Sequence, residues 1–185
     1  MEKKKRVLLA DDHAILRAGL KSMLSSQEDL EIVGEASTGI ETLDQCEKLK
    51  PDLILLDLSM PGVGGLEILP RLRHVSPGSK ILVLTMHDDK QYLHQALQNG
   101  ASGYVLKKAA DTELITAIHS VLVGEMYVHH SMMRHLVEDM LPSRDHLDNI
   151  DQWSLLSERE QEVIRLVALG YTGSEIAETL SLSIK

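Results

Sequence analysis

The sequence predicts an α/β fold, a doubly wound five-stranded parallel sheet, followed by a small all-α unit. Three observations carry that expectation. Short apolar runs alternate with segments of helical period five times over residues 6–124, the signature of strands joined by crossover helices. Leu53-Ile54-Leu55-Leu56 is an unbroken apolar run between Pro51 and Pro61-Gly62, which reads as a strand buried on both faces. After Gly124 the alternation stops, and only helical patterning returns from Ser154 onward.

The elements follow in order. Arg6–Ala10 is a short apolar strand. Ala14–Ser26 places Ile15, Leu16, Leu20, Met23 and Leu24 at helical spacing. Glu31–Ala36 is strand-like, and Gly39–Leu49 is a helix punctuated by Pro51. Leu53–Asp57 is the central strand. Gly65–Val75 is helical and stops at Ser76-Pro77-Gly78. Lys80–Thr85 is a buried strand, Asp89–Asn99 a helix ending at Gly100, and Gly103–Leu106 a fifth strand. Asp111–Val123 is the fifth helix, closed by Gly124. Residues 5–124 thus form one domain, and 125–153 a linker with a helix over Ser131–Leu141. The polar run from Pro142 to Asp151 suits a linker. In 154–185, Ser157-Glu158-Arg159-Glu160 forms a capping box at the head of a helix reaching Leu169. A second short helix spans Thr172–Leu180.

Composition narrows the function. At 185 residues the chain holds one ordinary domain and a small second unit. There is no Phe and one Trp, so the cores are aliphatic. A formal net charge of −9 argues against indiscriminate nucleic-acid binding. The lone Cys46 excludes an intrachain disulfide framework and fits a reducing cytoplasm. The basic start, Lys3-Lys4-Lys5-Arg6, precedes only Val7 to Ala10 before Asp11 and Asp12 intervene, too short for a signal or membrane segment. The expectation is a soluble cytoplasmic protein with no membrane partner.

The chemistry gathers at strand ends. In open α/β sheets, ligands bind beyond the carboxyl ends of the strands. The first strand delivers Asp11 and Asp12 there, the third Asp57, the fourth Thr85 and the fifth Lys107. Taken singly, Asp57 also fits a plain turn cap. As a set, three crowded carboxylates repel by about 1–4 kcal/mol per close pair. A divalent cation relieves this, and Mg²⁺ suits because it takes few carboxylates and keeps room for water and phosphate. A lysine neutralises a phosphoryl oxygen and a threonine hydroxyl bonds another. The constellation fits phosphoryl transfer onto a carboxylate.

These residues carry a resemblance. Leu8-Leu9-Ala10-Asp11-Asp12-His13, Asp57-Leu58-Ser59-Met60-Pro61-Gly62, Leu84-Thr85 and Gly103-Tyr104-Val105-Leu106-Lys107 follow in the order and spacing of the receiver domain of two-component response regulators. The resemblance implies a flavodoxin-like fold with Asp57 as phosphoacceptor, fed by a sensor histidine kinase. Mg²⁺ would be held by Asp11, Asp12, Asp57 and the backbone carbonyl of Ser59. Thr85 and Lys107 would bind the phosphoryl group, and Tyr104 would be the switch aromatic. The receiver would take part in phosphotransfer and self-dephosphorylation without being a stand-alone enzyme. Lys108 stands where many receivers carry proline, and a cis peptide is costly without proline. A rival reading, a phosphatase of the haloacid-dehalogenase type, needs a second aspartate two residues after the nucleophile. Ser59 stands there and cannot act as general acid.

Residues 155–185 resemble the start of a LuxR-type helix-turn-helix, through Leu156-Ser157-Glu158-Arg159-Glu160, Gly170-Tyr171-Thr172, Glu175-Ile176-Ala177 and Leu182-Ser183-Ile184-Lys185. Together with the receiver this is similar to the NarL/FixJ class, which implies promoter binding by a dimer formed on activation. Thr172, Ser183 and Lys185 are the candidate DNA contacts. The sequence stops in the first turn of the expected recognition helix, and residues 151–185 hold six acids against three bases, a net of −3. The expectation is that the full-length protein binds promoter DNA and this chain does not. Gly173-Ser174 replaces the asparagine and basic residue frequent in that family. The competing class is a phosphorylation-gated adaptor whose helical hairpin binds protein. His119, His129, His130 and His135 read as solvated or capping residues, because adjacent His129 and His130 point apart. Met126, Met132, Met133 and Met140 read as packing of the linker helix.

Overall fold

The computed structural model describes residues 3–140, with side chains through Leu136. In the C-terminal segment it describes residues 157, 160–163, 166, 176–177 and 179–180. The chain divides into two compact units, one ending at Val137 and one running from Glu138 to Lys185.

The first unit is a parallel sheet between two helical layers. Its strands are β1 (Lys5–Ala10), β2 (Leu30–Ala36), β3 (Leu53–Leu56), β4 (Lys80–Thr85), β5 (Gly103–Leu106) and β6 (Tyr127–Val128). The helices are α1 (Ala14–Ser25), α2 (Gly39–Leu49), α3 (Gly65–Val75), α4 (Lys90–Gln98), α5 (Ala110–Leu122) and α6 (His130–Met140). Strand order is β2-β1-β3-β4-β5-β6, all parallel. The order reverses direction at β1, between β2 and β3, so the crevice above β1 and β3 is where such a fold binds ligands.

Strand periodicity splits the core in two. Leu8, Ile54, Leu56, Ile81 and Val83 face Leu43, Ile68, Leu72, Leu93 and Ala96 on the α2, α3 and α4 side. Their neighbours Val7, Leu9, Leu53, Leu55, Leu82 and Leu84 face Leu20, Leu24, Leu114 and Ile118 of α1 and α5. All four residues of β3 are buried, which is why its sequence is uniformly apolar rather than alternating. Cys46 lies in this core, and burial pushes its thiol pKa up to about 12, so it packs rather than reacts.

Local chemistry sets the helix ends. Thr38 caps α2 by accepting from the Glu41 N–H at 3.2 Å, while Glu41 reaches back to the Ser37 N–H at 2.8 Å. Lys50, in the left-handed region at φ 45°, ends α2 just before Pro51. Asp89 caps α4, accepting from the N–H groups of Gln91 and Tyr92 at 3.0 and 3.1 Å. The peptide bond after Lys107 is trans, as are all those described.

Two sequence expectations need correction. The sheet has six strands, not five. Tyr127 and Val128 pair with Gly103 and Tyr104, and a two-residue strand is too short to show a period. The first compact unit also extends past Gly124 to take in β6 and the start of α6. Met132 is 1% exposed within the α2–α4 core, and Leu136 packs against the same cluster. Residues 125–137, read from the sequence as linker, are therefore part of this unit.

In the second unit, the capping box forms as the sequence predicts. Ser157 Oγ accepts from the Glu160 N–H at 3.4 Å, and Glu160 Oε2 accepts from the Ser157 N–H at 2.8 Å. The Ser157 hydroxyl and N–H hold the Glu160 carboxyl pKa below its usual value. Ile176, Ala177 and Leu180 are buried. Thr172, Gly173, Ser174, Ser183 and Lys185 lie outside the described residues. Among the described residues, no helix is long and apolar enough to cross a membrane.

Candidate functional site

The site is built where β1, β3 and β5 stop. Asp57 follows β3 directly, and its N–H donates to the Ala10 carbonyl at 2.8 Å, which locks it beside the end of β1. Asp11 is locked in turn by its own N–H donating to Ala36 O. Gly65 lets α3 start hard against this corner: a Cβ there would lie 2.0 Å from the Asp57 carbonyl oxygen. The three carboxylates and a histidine meet within reach of one ion. One ligand atom from each of Asp11, Asp12, His13 and Asp57 lies within 4.8 Å of the others.

Lys107 neutralises part of this charge. Its Nζ lies 2.7 Å from both Asp11 Oδ2 and Asp57 Oδ2, with all three side chains 6% exposed or less. It donates an aligned hydrogen bond to Asp57, while Asp11 Oδ2 accepts none. Burial disfavours the Lys107 charge, but the close contacts and negative charges of Asp11 and Asp57 outweigh it and hold its pKa above the usual lysine value. Asp12 Oδ1 likewise accepts no hydrogen bond, though His13 Nδ1 is 2.8 Å away. Buried carboxylate oxygens left with acceptor capacity fit a hard cation with oxygen ligands.

A second set of bonds runs along the rim from Asp57. The Ser59 N–H donates to Asp57 Oδ1 at 3.2 Å. Ser59 Oγ is 2.7 Å from His87 Nε2. The His87 N–H donates to Thr85 Oγ1 at 3.3 Å, and the His87 carbonyl accepts from the Tyr104 hydroxyl at 2.9 Å. Tyr104 is fully buried, and burial first, then the nearby acidic residues, pushes its phenol pKa well up. The His87 ring stacks on Tyr92, centroids 3.9 Å apart.

The structure therefore brings together Asp11, Asp12, Asp57 and Lys107. It links Ser59, Thr85 and Tyr104 through a residue that sequence reasoning passed over, His87. His13 was also passed over. The only signals were position: a histidine directly after two aspartates, and another two residues past Thr85. One further expectation fails. His129 and His130 do not point apart, for both lie 3.5 Å from Glu113 Oε1.

A doubly wound parallel sheet whose switch point holds three carboxylates and a buried lysine defines a class, and the matches agree with it. The model of the response regulator receiver domain matches residues 7–119, and the chain belongs to the response regulators. Among these it is similar to the oxygen regulatory protein NreC of Staphylococcus aureus, 42% identical over 97% of this chain and 84% of that protein. A LuxR-family two-component response regulator from Aurantimonas sp. SI85-9A1 matches at TM-score 0.71 and 30% identity, over 76% of this chain and all of that one. RcsB of Salmonella enterica serovar Typhimurium, solved bound to a promoter in the presence of the phosphomimetic BeF₃⁻, matches at TM-score 0.67 and 29% identity. That match covers 98% of this chain and 85% of RcsB.

Proposed function

We propose that Asp57 accepts a phosphoryl group from a histidine kinase, and that this governs transcription through a C-terminal DNA-binding unit. The observation that carries the reading is the buried Asp57 carboxylate, flanked by two more carboxylates and held 2.7 Å from Lys107. An Asp57 carboxylate oxygen attacks phosphorus, a P–O bond forms, and the P–N bond to the donor imidazole breaks with its electron pair returning to nitrogen. Asp11, Asp12, Asp57 and the Ser59 carbonyl are the groups to hold Mg²⁺, which supplies charge neutralisation for the phosphoryl oxygens. Lys107 moves its charge from the two carboxylates to a phosphoryl oxygen. The protein is not a stand-alone enzyme: the product stays on its own side chain.

The rim bonds give the signal a route. The phosphoryl group brings about −1.5 to −2 of charge. Thr85 donates its hydroxyl proton to a phosphoryl oxygen, which draws it away from the His87 N–H. His87 also bonds Ser59 and Tyr104, so its backbone shift reaches Tyr104 and the edge formed by α4 and β5. A dimer competent for DNA is the output, by likeness to RcsB, which is solved as two dimers bound to two parallel DNAs.

The test is the intact mass of the chain after incubation with acetyl phosphate and Mg²⁺, beside Asp57→Asn. The expected result is one phosphoryl adduct on the wild type and none on the variant. Equal uptake by both would reject Asp57 as acceptor.

A further inference from the structure

We propose that Glu113, His129 and His130 form a second metal site, for a borderline transition-metal ion of the Zn²⁺ or Co²⁺ type. Glu113 comes from the first turn of α5, His129 from the junction after β6, and His130 from the first residue of α6. One donor atom from each lies within 4.8 Å of the others. Both nitrogens, His129 Nε2 and His130 Nδ1, lie 3.5 Å from the same oxygen, Glu113 Oε1. That is long for a hydrogen bond. It is close to the edge of a tetrahedron of ligands around Zn²⁺, about 3.3–3.4 Å for bonds of about 2.0–2.1 Å. The third edge closes by turning the His130 ring, which is 81% exposed.

The surrounding groups orient the ligands. The Tyr127 hydroxyl donates to Glu113 Oε2 at 2.9 Å, which leaves Oε1 turned to the histidines. His129 is 4% exposed, and its Nδ1 sits 2.8 Å from Ser131 Oγ. Nδ1 also accepts from the Ser131 N–H at 3.3 Å. When an ion takes Nε2, the ring proton moves to Nδ1 and is donated to Ser131 Oγ instead, the outer-shell arrangement usual for metal-bound imidazole. Two imidazolium rings are a poorer filling for this space. Their centroids are 4.3 Å apart, so the two charges would repel across a single shared carboxylate oxygen. One dication on two neutral rings removes that repulsion. Two nitrogens and one oxygen also favour this metal class over Mg²⁺, which prefers oxygen alone. The bound ion would pin the start of α6 to α5 and β6.

The test is Co²⁺ titration of the tag-free full chain in excess Mg²⁺, which occupies the Asp11–Asp57 cluster, read by visible d–d absorption. Zn²⁺ competition follows by calorimetry. The expected result is one Co²⁺ per chain with the strong bands of tetrahedral coordination. His130→Ala and Glu113→Gln should each weaken binding by at least roughly tenfold, while Asp57→Asn binds as the wild type does. His130 is exposed, so its loss leaves the fold intact, which circular dichroism checks. Absence of binding in excess Mg²⁺ would overturn the proposal. So would binding that survives both His130→Ala and Glu113→Gln, or binding lost with Asp57→Asn.

Discussion

At the scale of single residues, the site is a problem in charge. Lys107 is the buried cation between Asp11 and Asp57. Replacing it with methionine leaves two buried carboxylates facing each other, and we expect a loss of about 3 kcal/mol at neutral pH without divalent cation. The pH dependence has a definite sign. The folded-state pKa of Lys107 is raised, so its contribution is full below the unfolded value of about 10.4. It is lost as pH climbs through the higher folded value. Urea unfolding should therefore show the gap between wild type and Lys107→Met narrowing above about pH 10.4. A constant gap would mean that Lys107 acts through packing alone. Which side chains gather here could be read in the sequence, because the sheet topology sends every strand end to one rim. His87 could not. Its role depends on a ring stacked on Tyr92 and a carbonyl aimed at Tyr104, neither of which leaves a spacing signal. His129 and His130 misled for a similar reason. Neighbours in sequence diverge in a regular element, but these two span the junction where β6 gives way to α6.

Elements with chemical punctuation showed their bounds in advance. The predicted ends of α2, α3 and β5 coincide with those observed. Pro51 marks the end of α2 and Ser76-Pro77 that of α3, while the Thr38 cap at the start of α2 emerges only from the structure. Helix α3 persists through Pro70, which removes one helical hydrogen bond, because Ile68, Leu69 and Leu72 are fully buried. The glycine at its start is needed for closeness rather than flexibility. Gly65→Ala forces a Cβ onto the Asp57 carbonyl. We expect a cost of about 1–3 kcal/mol and slower uptake of phosphate from acetyl phosphate, since the acceptor's own backbone is displaced. Gly19 in α1 is the contrast. A Cβ there meets nothing within 4 Å, and Gly19→Ala should stabilise by about 0.5–1 kcal/mol. Thermal unfolding of the two variants checks both. Equal effects would remove the close approach at Gly65 as a determinant of the site.

For the whole molecule, sequence patterning gave two units but placed the end of the first too early. The reason is physical: β6 has two residues, and among the described side chains of α6 only Met132 and Leu136 join the core. Met132 is the chief one, and at 1% exposure it seals the α2–α4 layer. Met132→Ala should cost about 2–5 kcal/mol. A chain cut after Gly124 should unfold at lower urea concentration than one cut after Val137. Equal midpoints would return residues 125–137 to the linker. The central claim about the molecule concerns one atom set, the Asp57 carboxylate. It is tested most directly without any substitution, by treating the acetyl phosphate-charged protein with borohydride. This reduces an acyl phosphate to the alcohol, and peptide mass mapping then locates it. The expected product is homoserine at position 57 and nowhere else. Conversion at Asp11 or Asp12 would contradict it, as would a phosphorylated chain with no converted aspartate.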